Sequence, residues 1–149
     1  MLAAVDAAII GWGADLVGLA PRAAGRCPRH GGFRSGRHLW LYRPRNRPPG
    51  PCHLCAREHH NAPALGPKLK EEFGGVLIAN EQFTRENAEA AIAAGHADAV
   101  AWGQQFIANP DLPLRFREGA PLNEPKPQTF YADGPEGYTD YPVVAAALV

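Results

Sequence analysis

The chain has 149 residues and a mass of 16.0 kDa, with 46% hydrophobic residues and a mean hydropathy of -0.26; that length suits one domain burying roughly 68–70% of its unfolded surface. No apolar run approaches the roughly 18 residues of a membrane helix, Met1 to Ile10 lacks a basic secretory n-region, and three cysteines cannot all pair within one chain, so a membrane span is excluded and a reducing cytoplasm is expected. Lys+Arg and Asp+Glu both total 15, giving zero net charge and, taken whole, no affinity for nucleic acid or anionic membrane.

In chain order, Leu2, Val5, Ile9 and Trp12 fall at helical spacing and Gly13 ends the pattern; Leu16-Val17-Gly18-Leu19 then reads as a short buried strand. Residues 22 to 51 break this rhythm. They hold eight arginines, from Arg22 to Arg47, and no acid, leaving seven bases against 15 acids elsewhere. Arg, Pro and Gly dominate, apolar residues cluster only at Leu39 to Tyr42, and the segment is expected to be disordered or irregular.

From Cys52 the rhythm returns. Leu54 to Ala56 reads as a strand, Leu65, Leu69 and Phe73 as one helix face closed by Gly74-Gly75, and Val76 to Ala79 as the next strand. Thr84 can N-cap a helix with Glu86 in its first turn, Ala88, Ala91 and Ile92 as its inner stripe and Gly95 at C′. Ala99 to Trp102 is a further strand. After Pro110 come a short amphipathic helix (Leu112, Leu114, Phe116) and a Pro-rich extended tail, too aromatic at Phe130, Tyr131, Tyr138 and Tyr141 to be free. Lys68 to Glu72 reads as a solvated helix face and His96 as a surface residue.

Strands alternating with helices through short connections imply parallel strands joined by right-handed crossovers, hence an α/β layer or part of a (β/α) barrel. Ligands of such folds sit at the carboxyl ends of the strands. Here those ends are residues 19–21, 57–60, 80–83 and 103–105.

The run from Phe73 to Asn80, then Asp98 to Gly103, Phe106 to Pro113, Ala120 to Asn123, and Thr129-Phe130-Tyr131 through Gly137 to Pro142 resembles, in order and spacing, the C-terminal third of the old yellow enzyme family. The resemblance implies an FMN-dependent ene-reductase on an eight-stranded barrel, in which NAD(P)H reduces the flavin and the flavin passes hydride to an activated alkene. It implies an incomplete (β/α)8 TIM barrel for this chain: residues 1–21 as a helix plus the fifth strand, 22–51 as an irregular Arg-rich insert, and 52–149 as strands six to eight and the tail. The first four strands have no counterpart.

An FMN phosphate needs backbone N–H groups presented by tight turns at strand ends, and usually a cation. By resemblance, Asn80 and Glu81 at the seventh strand end and Gly103 and Gln104 at the eighth occupy those places. Gln104 stands where many relatives carry a phosphate-binding Arg, and Glu81-Gln82 where many carry Gly-Gly, although some share the Asn-Glu-x-Phe-Thr form. Tyr131 matches the family tyrosine near flavin and substrate, or is an aromatic packing the barrel mouth. The family's His pair that anchors substrate, its proton-donating Tyr and its flavin-contacting Arg on the fifth strand have no counterpart, since Leu19 runs straight to Ala20-Pro21. No catalytic residue is therefore assigned, and the chain alone is expected to be inactive. Two open sheet edges imply poor solubility or self-association.

The Arg-rich stretch has a second explanation. Codons for residues 27–36 and 38–43, suitably chosen and read one base later, can spell peptides that resemble the family's segment between strands five and six. Residues 22 to about 51 are accordingly read as that segment in a shifted frame restored near Cys52, which the coding DNA tests directly. The alternative is a noncatalytic α/β protein whose arginines, with Phe33, Trp40 and Tyr42, bind nucleic acid or another polyanion. Cys52-x2-Cys55 with His59 and His60 could ligate zinc, but a single C-x2-C without a second pair assigns no metal site.

Overall fold

In a computed structural model, residues 2–20, 50–57 and 66–144 are described; the Arg-rich stretch, apart from Gly50 and Pro51, lies outside them, as do Leu65, His59 and His60. The chain divides into two compact units, Met1–Ala101 and Trp102–Val149.

The first unit is a parallel sheet with helices. Helix α1 spans Leu2–Trp12, a 3-10 turn covers Ala14–Leu16, and strand β1 is Gly18–Leu19. The strand expected at Leu16 to Leu19 is thus shorter and less buried than its apolar pattern implies: Leu16 is 71% exposed. Gly13 enters the turn at φ 90, and Leu16 N–H donates to its carbonyl at 3.3 Å, so the chain curls before it extends. Gly18 pairs with His53, and a Cβ there would collide with the His53 imidazole.

Strand β2 (His53–Arg57), helix α2 (Gly66–Phe73), strand β3 (Val76–Asn80), helix α3 (Arg85–Ala93) and strand β4 (Ala99–Ala101) follow, and the sheet order is β1-β2-β3-β4 with every pair parallel. This is the arrangement expected from the alternating pattern. Period-two alternation buries Leu54 and Ala56 of β2 and Leu77 and Ala79 of β3. Leu69 and Phe73, one turn apart on α2, join Leu54, Ala56 and Leu77 in the core, with Leu19 packed against it. Lys70, on the segment expected to be solvated, instead donates to Gly75 O at 3.1 Å and pairs with Asp98. Asp98 also accepts Leu77 N–H at 2.7 Å, and these bonds, that to Lys70 first, hold its carboxyl below the usual carboxylate range. This clasp lies at the amino ends of β3 and β4.

Helix α3 starts as expected. Thr84 Oγ1 accepts Asn87 N–H at 3.3 Å while Asn87 Oδ1 accepts Thr84 N–H at 2.7 Å, a reciprocal capping box. Gly95 takes φ 70 beyond the C-cap Ala94, the left-handed C′ position. Ala88 is buried, whereas Ile92 of the expected inner stripe is 45% exposed.

The second unit contains α4 (Gln104–Ala108), which the sequence pattern did not announce, then α5 (Leu112–Glu118) and a 3-10 turn at Pro127–Thr129. Trp102 lies just past β4 and meets Phe116 edge to face, centroids 5.2 Å apart. Leu112 is buried as its pattern predicts, but so is Arg115. Its guanidinium donates to Asp111 Oδ1 at 2.7 Å, to Pro142 O at 2.7 Å and to Pro121 O. Asp111 Oδ2 accepts Val144 N–H at 2.6 Å; the Arg115 bond above all holds this carboxyl low. Buried Asn109 accepts Asn123 N–H at 2.7 Å, and Asn123 Nδ2 donates to Ala108 O and Pro142 O at 2.7 and 2.8 Å. The tail is therefore fastened by side chains bonded to its main chain, not by burial of its aromatics: Tyr138 is 47% exposed, and Tyr141 contributes a hydroxyl that accepts Lys126 N–H at 2.8 Å.

Candidate functional site

Parallel pairing places Arg57, the last residue of β2, opposite Asn80, the last of β3. The next residue, Glu81, thereby comes within reach of the guanidinium. Arg57 Nε donates to Glu81 Oε2 at 3.0 Å and Nη2 to Oε1 at 3.2 Å, a fork that engages both carboxylate oxygens. The Glu81 side chain is 17% exposed against 49% for Arg57, so the acid lies within the turn and the base closes over it.

The backbone of this turn is unusual. Glu81 has φ 90 and Gln82 φ 58, the left-handed region, where a residue with a Cβ carries strain of order 1–3 kcal/mol. Two such residues in succession bend the chain out of β3. Asn80 Nδ2 donates to Ala101 O at 3.0 Å, which ties the end of β3 to the end of β4 and commits that amide to the sheet.

Gly103 and Gln104 open the second unit, with Gly103 the N-cap of α4 at φ -88. That dihedral suits any residue, and a Cβ there would meet nothing within 4 Å, so neither backbone angle nor space demands glycine at this position. Gln104 is exposed. Tyr131, also in this unit, adopts φ 65 and is 96% exposed. Of the residues singled out from sequence, Asn80 and Glu81 are thus neighbours at one strand end, Gly103 and Gln104 neighbours at the start of the following unit, and Tyr131 stands on a turn.

Arg57 was not singled out. Its signal was only its place at a strand end, and the partner became legible once the β2–β3 register was known. In the proposed metal pattern, Cys52 Sγ lies 3.2 Å from His53 Nδ1 and Cys55 is half-buried in β2. Among the described residues, no group of three or more His, Cys, Asp or Glu side chains could hold a metal ion, and no helix is long and apolar enough to cross a membrane.

A parallel sheet with crossover helices, and a strained turn at the carboxyl end of β3, is part of an α/β barrel. Known proteins resemble it over part of their length. The chain is 51% identical over 75 residues to 12-oxophytodienoate reductase 2 of Arabidopsis thaliana, covering 50% of this chain and 20% of the relative. It is 51% identical over 73 residues to a probable flavin mononucleotide-dependent alkene reductase of Leishmania infantum, covering 49% and 20%.

Among solved structures, morphinone reductase in complex with tetrahydroNAD matches at TM-score 0.83 and 34% identity, over 99% of this chain and 41% of that one. The old yellow enzyme of Trypanosoma cruzi matches at 0.80 and 29%, over 93% and 38%. No protein-family model matches. Over the residues matched, the chain is similar to members of the old yellow enzyme family, and it spans about a fifth of these curated relatives' length and about two fifths of these solved chains.

Proposed function

We propose that this chain carries the FMN-phosphate end of an ene-reductase-like oxidoreductase site and, as these 149 residues alone, does not reduce an alkene. The observation that supports the reading is the consecutive left-handed pair Glu81-Gln82 at the carboxyl end of β3, with its one acidic side chain already engaged by Arg57. Such a turn at the carboxyl end of a strand is where folds of this class take their ligands. The residues present fit the group.

Bound FMN would accept hydride from NAD(P)H and deliver it to an activated alkene. Asn80, through its bond to Ala101 O, would hold the β3 end in place, and Glu81 would fix the turn. Gly103 would admit the ligand's phosphate end, with Gln104 as a neutral amide donor. A neutral donor in place of a guanidinium forgoes a charge-assisted bond of about 1.5–3 kcal/mol, so FMN would be held more weakly than with Arg. Tyr131, its ring and hydroxyl exposed, would face the small-molecule substrate. Hydride transfer also needs a substrate anchor and a proton source, and no residue of this chain is assigned to either role.

Two measurements on the purified chain test this. The visible absorbance should show flavin after incubation with FMN, and NADH or NADPH oxidation with an activated alkene should stay at the buffer rate. A colourless, FMN-indifferent chain would overturn the binding assignment, and alkene-dependent oxidation would overturn the inactivity.

A further inference from the structure

The turn proposed to meet a phosphate carries a carboxylate, which by itself is the wrong charge. A carboxylate within several Å of a phosphate opposes it by an amount that, between the limits of bulk water and a protein surface, corresponds to roughly tenfold in affinity. Glu81 is 17% exposed, so solvent screens it only in part, and both of its oxygens are taken by the Arg57 fork at 3.0 and 3.2 Å. Position 104, where the family resemblance puts a phosphate-binding Arg, is Gln.

From this geometry we infer that Arg57 is the positioning residue that makes the β3 turn compatible with a phosphate-bearing ligand, by neutralising Glu81. The inference rests on the flavin reading above and adds to it the source of positive charge. Arg57 ends the adjacent strand, opposite Asn80, and reaches the side chain of the next residue, Glu81. Its half-exposed guanidinium leaves the pair free to share its charge with an incoming anion. The opposite end of the sheet provides a contrast. There Lys70 and Asp98 also pair, but the carboxylate is spent on Leu77 N–H and the ammonium on Gly75 O, so that clasp serves the fold.

The test titrates the full chain with FMN and with riboflavin, which differ only by the phosphate, following flavin fluorescence at low salt. Arg57→Ala should weaken FMN about tenfold and leave riboflavin within about twofold. Adding Glu81→Gln to that variant should recover most of the loss. Glu81→Gln alone should tighten FMN severalfold, because it frees the guanidinium while removing the acid, and it decides the matter if Arg57→Ala does not fold. The FMN effects should shrink in high salt. Equal weakening of FMN and riboflavin by Arg57→Ala, no recovery in the double variant, or no tightening by Glu81→Gln would each overturn the role of Arg57. A wild-type chain that binds neither flavin would overturn the flavin reading and this inference with it, whereas FMN binding indifferent to these substitutions would overturn the inference alone.

Discussion

The two units of the chain are held together by different physics. In Met1–Ala101, the cluster of Leu54, Ala56, Leu69, Phe73 and Leu77 is apolar and almost fully buried, the usual result of a helix covering one face of a parallel sheet. In Trp102–Val149, the buried side chains include Asn109 and Arg115, and the long irregular stretches are fastened by Asn, Asp and Arg side chains bonded to main-chain groups. A sheet satisfies its own backbone. Irregular chain cannot, and its carbonyls and amides must be met by side chains. The difference teaches where each unit is fragile: the first to loss of volume, the second to loss of a donor.

The largest effect should come from breaking that contrast in the second unit. Arg115→Ala leaves Pro121 O and Pro142 O without their guanidinium and Asp111 without its base, and should cost about 3–5 kcal/mol of stability, read by urea denaturation. Arg115→Lys, a point charge without the fork, should recover less than half of it. Next, Leu77→Ala empties a fully buried site and should cost about 2–4 kcal/mol; a polar Leu77→Asn should be worse still, while Leu77→Met should be nearly neutral. Thr84→Ala removes the capping box of α3 and should cost about 1 kcal/mol.

The smallest effect is the response to acid. Asp98 and Asp111 are both held below the ordinary carboxylate range by their Lys70 and Arg115 partners. A carboxyl with a depressed folded-state pKa contributes stability that is fully present above its unfolded value and lost as pH falls through the folded one. Thermal midpoints should therefore hold steady above about pH 5 and drop below about pH 4. Asp98→Asn should flatten part of that drop, modestly because the site is exposed and solvent screens it. A midpoint unchanged from pH 6 to pH 3 would show that neither clasp contributes to the folded state.

Much of the first unit was legible in the sequence because its signals are local. Short apolar runs marked β2 and β3, the Leu69–Phe73 spacing marked the buried face of α2, and Thr84 and Gly95 marked the ends of α3. The strand at Leu16 to Leu19 was overdrawn because apolar composition alone cannot tell a turn from an extended strand. The second unit was read less well: Leu112, Leu114 and Phe116 announced α5, but Arg115 looked like its polar face. Its burial depends on Pro121 and Pro142, carbonyls whose positions no local pattern encodes. The Asp111-x3-Arg115 spacing did permit the i,i+4 pair.

The same limit governed the site. Asn80, Glu81, Gly103, Gln104 and Tyr131 are proposed through family motifs alone. Arg57 needed the strand register, and the left-handed backbone at Glu81 and Gln82 is not encoded by residue types that favour it. The Arg-rich stretch, whose charge offsets the acidic remainder, stays a question for its coding DNA: a second frame that does not yield the family-like peptides would end the shifted-frame reading.

The phosphate-recognising end of a flavin site, proposed above for this chain, should distinguish flavins by their phosphate. The most direct test compares FMN with riboflavin on the unmodified chain by equilibrium titration. FMN should bind, and more tightly than riboflavin, by a margin that narrows as salt is raised. Equal affinity for the two flavins, or no binding of either, would contradict the proposal.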